Sequence, residues 1–244
     1  MDLFKRSFHL LFSVILFFCS AGLASPAPNK DATIAVASQH KWTGFYIGGN
    51  LGAVKHTMNV TDNQATSFYA TIQEVSNPQL TGGLQLGYRR QLEYSSVTGV
   101  YGLEFSTNFA RASFNEQYGS PYALYEISAN NELQYIYLLQ WLGGIAANNT
   151  LFFFAAGFSW THLSGGMTET SGAPYFTSFN VNKTPFGTAL SGGIEYAFTQ
   201  AFSARFKLDV ITPNAYVVVD DLGNHFQVSN AITQGLVGVT YQFG

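Results

Sequence analysis

From residue 42 onward the chain alternates apolar and polar positions with a period of two in eight short segments, and their connections run long, short, long, short to the end. The segments fall near 42–54, 82–92, 98–110, 133–146, 151–163, 185–198, 202–212 and 232–243. Each supplies about the ten residues that a tilted transmembrane strand needs. The connections at 93–97, 147–150 and 199–201 are turns, whereas those at 55–81, 111–132, 164–184 and 213–231 far exceed the few residues usual between strands. This asymmetry predicts an all-β fold: an eight-stranded antiparallel up-and-down transmembrane β-barrel with short periplasmic turns and long extracellular loops. Closure matters because every amide and carbonyl in hydrocarbon must be paired within the structure. An even strand count also places both termini on the side of the short turns. Thr66 to Val75 alternates too, which leaves ten strands as an alternative to eight; that stretch reads as an extension above the membrane.

The two faces of the segments differ in chemistry. In the fifth, Phe152, Phe154, Ala156, Phe158 and Trp160 share one face, and Phe153, Ala155, Gly157, Ser159 and Thr161 the other. In the third, Tyr101, Leu103, Phe105 and Phe109 oppose Gly102, Glu104, Ser106 and Asn108; in the seventh, Ala204, Phe206, Leu208 and Val210 oppose Ser203, Arg205, Lys207 and Asp209. The bulky apolar face belongs against lipid and the small or charged face in the lumen. A soluble barrel would reverse this, but an eight-stranded interior is too narrow for so many Phe and Tyr side chains. The fourth segment sorts poorly, because Gln140 and Trp141 conflict in either register, and it is assigned by order and length. A turn centred near Thr199 to Ala201 sets Glu195 opposite Arg205, within reach of a cross-strand ion pair. Arg89, Glu104, Lys207 and Asp209 project into the same lumen. Together these residues read as a paired polar network filling the barrel; the alternative is a gate in a narrow, porin-like diffusion channel.

Upstream of the strands, Lys5 and Arg6 precede the mostly apolar stretch from Phe8 to Phe18, followed by Ser20, Ala21, Gly22 and Ala24. This order predicts a signal peptide over 1–24, cleaved after Ala24. The apolar run is too short for a retained anchor. Phe18 before Cys19 argues against lipid modification, which needs a small residue there. Residues 25–40 read as a flexible periplasmic lead-in and 41–244 as the barrel domain. Cleavage removes the single cysteine, so the mature chain has no thiol chemistry. It also removes Lys5, Arg6 and Asp2, taking Lys plus Arg from 11 to 9 and Asp plus Glu from 14 to 13, a net charge of −4. Cations do not cluster, which excludes nucleic acid as a partner. Aromatic residues make up 16% of the chain and charged residues only 10%, against about 25% charged in ordinary globular proteins. No run of eighteen apolar residues follows the leader, so the spans are not helical.

The opening strand Trp42-Thr43-Gly44-Phe45-Tyr46-Ile47-Gly48-Gly49-Asn50-Leu51-Gly52, with Gly82-Gly83-Leu84-Gln85-Leu86-Gly87-Tyr88 and Gly99-Val100-Tyr101-Gly102-Leu103-Glu104, resembles the outer membrane protein β-barrel family of OmpA-like and OmpX-like small barrels. Gly192-Gly193-Ile194-Glu195-Tyr196 and the closing Val237-Gly238-Val239-Thr240-Tyr241-Gln242-Phe243 are similar as well. The likeness covers nearly all of 42–244 and is specific for architecture rather than activity. It implies residence in the outer membrane of a Gram-negative bacterium, among outer-membrane lipids and lipopolysaccharide. It also implies insertion by the outer-membrane assembly machinery, which reads a terminal aromatic. Here Gly244 follows Phe243, a small departure. No peptidoglycan-binding domain follows the barrel, unlike the longer OmpA-type proteins.

Candidate chemistry is sparse. Gly48, Gly49 and Gly52 are not followed by a helical pattern, so they do not form a phosphate loop and instead let strands tilt and close. The long loops are where function differs between barrels of one fold. Asp220-Asp221-Leu222-Gly223-Asn224 is a turn sequence that makes the last loop a hairpin. Tyr118, Tyr122, Tyr125, Tyr216 and Phe226 are the candidates for loop-mediated binding of a host or other cell-surface protein. The bland account is that such loops only shield the barrel. His56, His162 and His225, with Met58 and Met167 nearby, lack a fixed metal-ligand spacing and are read as no metal site. His162 and Ser164, with Glu169 as an orienting acid, faintly resemble the outer-membrane lipid A deacylases. A histidine in the interfacial belt beside Trp160 explains the same residues. The resulting expectation is a structural and surface-interaction protein with no catalytic centre and no cofactor. A narrow channel and a lipid A hydrolase are its competitors.

Overall fold

A computed structural model describes residues 40–62, 72–75, 77–94, 97–119, 126–169, 179–219, 223 and 225–243. Its strands are β1 (Gly44–Asp62), β2 (Ile72–Val75), β3 (Gln79–Tyr94), β4 (Val97–Gly119), β5 (Glu126–Ala147), β6 (Thr150–Glu169), β7 (Phe179–Lys183), β8 (Phe186–Ala197), β9 (Phe202–Pro213), β10 (Tyr216–Val219) and β11 (His225–Gln242). The order β1-β3-β4-β5-β6-β8-β9-β11 closes on itself where β11 pairs with β1, from Tyr46 opposite Gln242 to Asp62 opposite Phe226. All neighbours in this ring are antiparallel, so eight strands form a closed up-and-down barrel. The other three strands prolong the wall at its outer end: β2 lies on β1, β7 on β6 and β10 on β11. Thr66 to Val75 is therefore no added hairpin through the membrane where it is described, at Ile72–Val75; its residues 66–71 lie outside the described residues.

Side-chain alternation decides which way each strand faces. Phe45, Leu51, Leu84, Phe109, Ile145, Phe154, Phe206 and Val237 all stand on the exposed surface, as period two requires of a wall meeting hydrocarbon. The fourth transmembrane strand, β5, resolves in the register with Gln140 inside and Trp141 outside. Its pattern looks confused because it is apolar on both sides: Leu133, Ile136, Leu138 and Leu142 point inward. At the short-turn end, Ala147 and Thr150 flank the turn Asn148–Asn149, where Asn148 takes the left-handed φ of 55° that asparagine tolerates.

Strand ends at the short-turn side lie within two residues of where the sequence pattern puts them, β1 starting at Gly44 and not Trp42, but apart from those of β8 and β9 the outer ends do not. The stretches 111–132 and 164–184, expected as loops, are strand over 111–119, 126–132, 164–169 and 179–183. Likewise 55–62 continues β1, whereas in the last connection 216–219 pairs with 225–228 as the hairpin that its turn sequence predicts. Beyond the apolar-out band the outward signature ends while backbone pairing carries on, and the inner face stays buried at Met58, Val60, Phe226 and Val228. β-Bulges in β4 between Phe109 and Ala112 and in β5 between Leu133 and Tyr135 mark this transition on adjacent strands.

Leu208 projects outward between Lys207 and Asp209, level with the buried charges. Leu208→Arg is expected to destabilise the barrel by about 2–4 kcal/mol, the loss found for an arginine on the lipid face near the midplane. Reversible guanidinium unfolding in lipid vesicles measures it.

Candidate functional site: the barrel lumen

Inward-facing side chains fill the lumen in three layers. At the short-turn end an apolar layer contains Trp42, Val100, Leu142, Ala146, Leu151 and Phe153. At the outer end a second holds Val54, Leu133, Ile136, Leu138, Ile211 and Ile232, with the ring of Tyr216 packed against it. Between them lie three cations, Arg89, Arg205 and Lys207, and three carboxylates, Glu104, Glu195 and Asp209, none more than 4% exposed. The layer is therefore charge-balanced, as burial in a low-dielectric interior demands.

Register places the pairs. The turn after β8 sets Glu195 opposite Arg205, with Nε 3.4 Å from the carboxylate. Glu195 also takes a bidentate pair from Arg89 at 2.8 and 2.9 Å and a hydrogen bond from the Ser203 hydroxyl at 2.5 Å. Glu104, on β4, accepts from Arg205, from Lys207 at 3.0 Å and from the Tyr46 hydroxyl at 2.6 Å. Lys207 also reaches Asp209 at 3.3 Å and donates to Gln140 at 2.9 Å. Asp209 in turn accepts from Ser191 at 2.5 Å and Gln234 at 2.7 Å. The guanidinium of Arg89 lies 4.5 Å from the centre of the Tyr46 ring and that of Arg205 lies 4.2 Å from the centre of Phe153. Such cation–π contacts gain strength in a desolvated site. Glycine gives these rings their room: a Cβ on Gly87 would sit 2.6 Å from Tyr46, and one on Gly193 the same distance from Phe153.

The structure thus brings all six charged residues singled out in the sequence into one network. Sequence reasoning placed Ser203 on the lumen face but missed Tyr46, Gln140, Ser191, Gln234 and Gln242 as members of the network, and both apolar layers. A cue for Tyr46 exists in its parity, because it shares a face with Gly44 and Gly48. Taking Trp141 to lipid would have found Gln140.

The other candidates scatter. Phe226 is buried and Tyr216 half-buried, both turned toward the barrel extension rather than presented outside. Tyr118 lies near the end of β4 with its side chain outside the described residues, as are Tyr122 and Tyr125 entirely. His56 is buried in the lumen, 2.9 Å from Asn230, while His162 and His225 face outward, so the three histidines do not converge. Met58 is buried inside, and the Met167 side chain lies outside the described residues. His162 stacks on Tyr135 with ring centres 4.6 Å apart and meets the Thr184 hydroxyl at 2.9 Å. Ser164 instead accepts from Gln134 at 2.9 Å. The base and hydroxyl of the supposed hydrolase thus each have another partner, and the Glu169 side chain lies outside the described residues.

A closed wall of eight paired strands, apolar outside and charge-compensated inside, defines a small transmembrane β-barrel. No protein-family model matches the chain. Over 243 residues it is 22% identical to the 31 kDa outer-membrane immunogenic protein of Brucella melitensis biotype 1 and, equally, of Brucella suis biovar 1, covering 96% of this chain and 98% of each relative. Solved structures similar to it include the Neisserial surface protein A, at 11% identity and a TM-score of 0.44 over 82% of this chain and 98% of that one. The outer membrane protein OprG of Pseudomonas aeruginosa is similar at 14% identity and a TM-score of 0.48, over 84% and 98%. The chain is an outer-membrane β-barrel protein of a Gram-negative bacterium.

Glu104→Ala removes the acceptor shared by Tyr46, Arg205 and Lys207. Its expected cost is about 3–5 kcal/mol, the penalty for stranding a buried partner, read from guanidinium unfolding midpoints at unchanged slope.

Proposed function

We propose that this protein is a closed barrel that works as a structural and surface-interaction component of the outer membrane, and does not conduct solutes. The observation that carries this reading is the filled lumen. A charge-balanced network lies between two apolar layers, and eight strands leave a bore just wide enough for side chains. A hydrated ion entering from either end meets aliphatic and aromatic side chains before any charge.

The wall supports the second half of the proposal. β4, β5 and β6 run for 23, 22 and 20 residues, whereas crossing the hydrocarbon takes about 9–11. Roughly half of each strand therefore stands beyond the membrane, on the side away from the short turns. An extended β-surface at that height supports contact with lipopolysaccharide headgroups and with host or neighbouring proteins. The name of the Brucella relatives, an immunogenic outer-membrane protein, fits a surface of this kind. Catalysis forms no part of the proposal: Ser164→Ala is expected to leave the lipid A of expressing cells unchanged by mass spectrometry, and loss of an acyl chain that depends on Ser164 would reverse this.

Planar-bilayer recording of the refolded mature protein tests the closed lumen. Silence or brief flicker is expected. A steady, solute-permeable pore overturns the proposal in favour of a diffusion channel.

A further inference from the structure

Residues 40–43 do not continue β1 downward, although the sequence pattern starts the first strand at Trp42. They cross the barrel mouth. The bend is at Gly44, whose φ of 147° disfavours any side chain and whose Cβ would lie 2.6 Å from the Phe243 carbonyl oxygen. From there Trp42 turns into the lumen, fully buried, with its ring 4.8 Å from the Arg89 guanidinium. His40 follows it in, 2% exposed, edge-on to Trp42 at 4.4 Å between ring centres.

Side chains from three separate places hold this segment. Gln91 of β3 accepts from the Trp42 amide at 3.0 Å, and its own amide donates to the Thr43 hydroxyl at 2.9 Å. Gln242 of β11 donates to the carbonyls of Lys41 at 2.6 Å and Thr43 at 3.0 Å. Asn149, in the turn after β5, accepts from the His40 amide at 3.3 Å. Every one of these is a neutral bond at the edge of the barrel, unlike the charged pairs deeper inside. We propose that residues 40–43 form an acid-sensitive latch on the periplasmic mouth, hinged at Gly44, which swings out when His40 gains a proton and opens Arg89 and Glu195 to the periplasm.

The surroundings of His40 favour its neutral form. Neither ring nitrogen makes a well-formed hydrogen bond. The charged groups near it are Arg89 from β3 and Glu195 from β8, with the side chain of Gln242 from β11 and the Thr199 backbone as the neutral polar neighbours. Glu195 is already committed to Arg89, Arg205 and Ser203, which leaves a protonated His40 beside the Arg89 cation. Burial first, and then Arg89, lower the His40 pKa below its ordinary value of 6.5. The latched state therefore binds fewer protons than the released one. Its full stability holds above pH 6.5 and is lost progressively as the pH falls below that value. For one proton the released-to-latched ratio rises at most about tenfold per pH unit in that window.

Trp42 reports the movement directly. The chain has three tryptophans, and replacing Trp141 and Trp160, both outside the lumen, by Phe leaves Trp42 alone. In vesicles at pH 8 its emission is expected to be shielded from acrylamide. Between pH 6.5 and 5 quenching is expected to rise while far-UV circular dichroism stays constant. His40→Gln in the same background is expected to remove the pH response. Gly44→Val, which cannot hold the bend, is expected to leave Trp42 quenchable already at pH 8. Shielding that persists to pH 5, a response that survives His40→Gln, or exposure that arrives only with loss of the barrel signal would each overturn the latch.

Discussion

Against hydrocarbon no backbone amide or carbonyl can go unpaired, and this constraint organises the whole molecule. An open sheet fails it at two edges. Closure of β11 on β1 removes both and sets the number of strands that share the circumference. Once eight strands close, the bore is fixed at side-chain width, and the inward half of every strand must fill it. The charged network is thus a consequence of closure: glycine-lined slots accept Tyr46 and Phe153, their rings lie against Arg89 and Arg205, and the carboxylates of Glu104 and Glu195 neutralise the guanidinium groups.

The balance within that network explains why charge is tolerated at the centre of a membrane protein. An isolated charge there is expensive, and a pair recovers the loss only when its remaining lone pairs and protons are also bonded. Glu195 meets this condition through Arg89, Arg205 and Ser203, and Asp209 through Lys207, Ser191 and Gln234. Apolar layers flank the network on either side, aliphatic at the outer end and containing Trp42 and Phe153 at the short-turn end. The proposed closure to solutes rests on the same filling of the lumen that supports stability. The short-turn end differs because a segment from outside the wall completes it. Trp42 supplies there what a strand residue supplies elsewhere, and the bonds that hold it are neutral.

Sequence alone established the order of the strands, their outward face and the six charged lumen residues, and left ten strands open beside eight until closure of β11 on β1 decided the count. Each of these follows from period-two alternation, which is local and survives any detail of packing. Even the opposition of Glu195 and Arg205 is local, since a short turn fixes the register of the hairpin that carries them. Tertiary structure decided what alternation cannot express. β5 is apolar on both faces because one meets lipid and the other an aliphatic layer to which seven strands contribute, so Gln140 and Trp141 conflict until the barrel is closed. The outer halves of β4, β5 and β6 lack the apolar-out alternation in sequence, and only backbone pairing across strands reveals them as strand. The inward turn at Gly44 was likewise hidden: Trp42 reads as a strand residue until Arg89, 47 positions along the chain, is seen waiting beneath its ring.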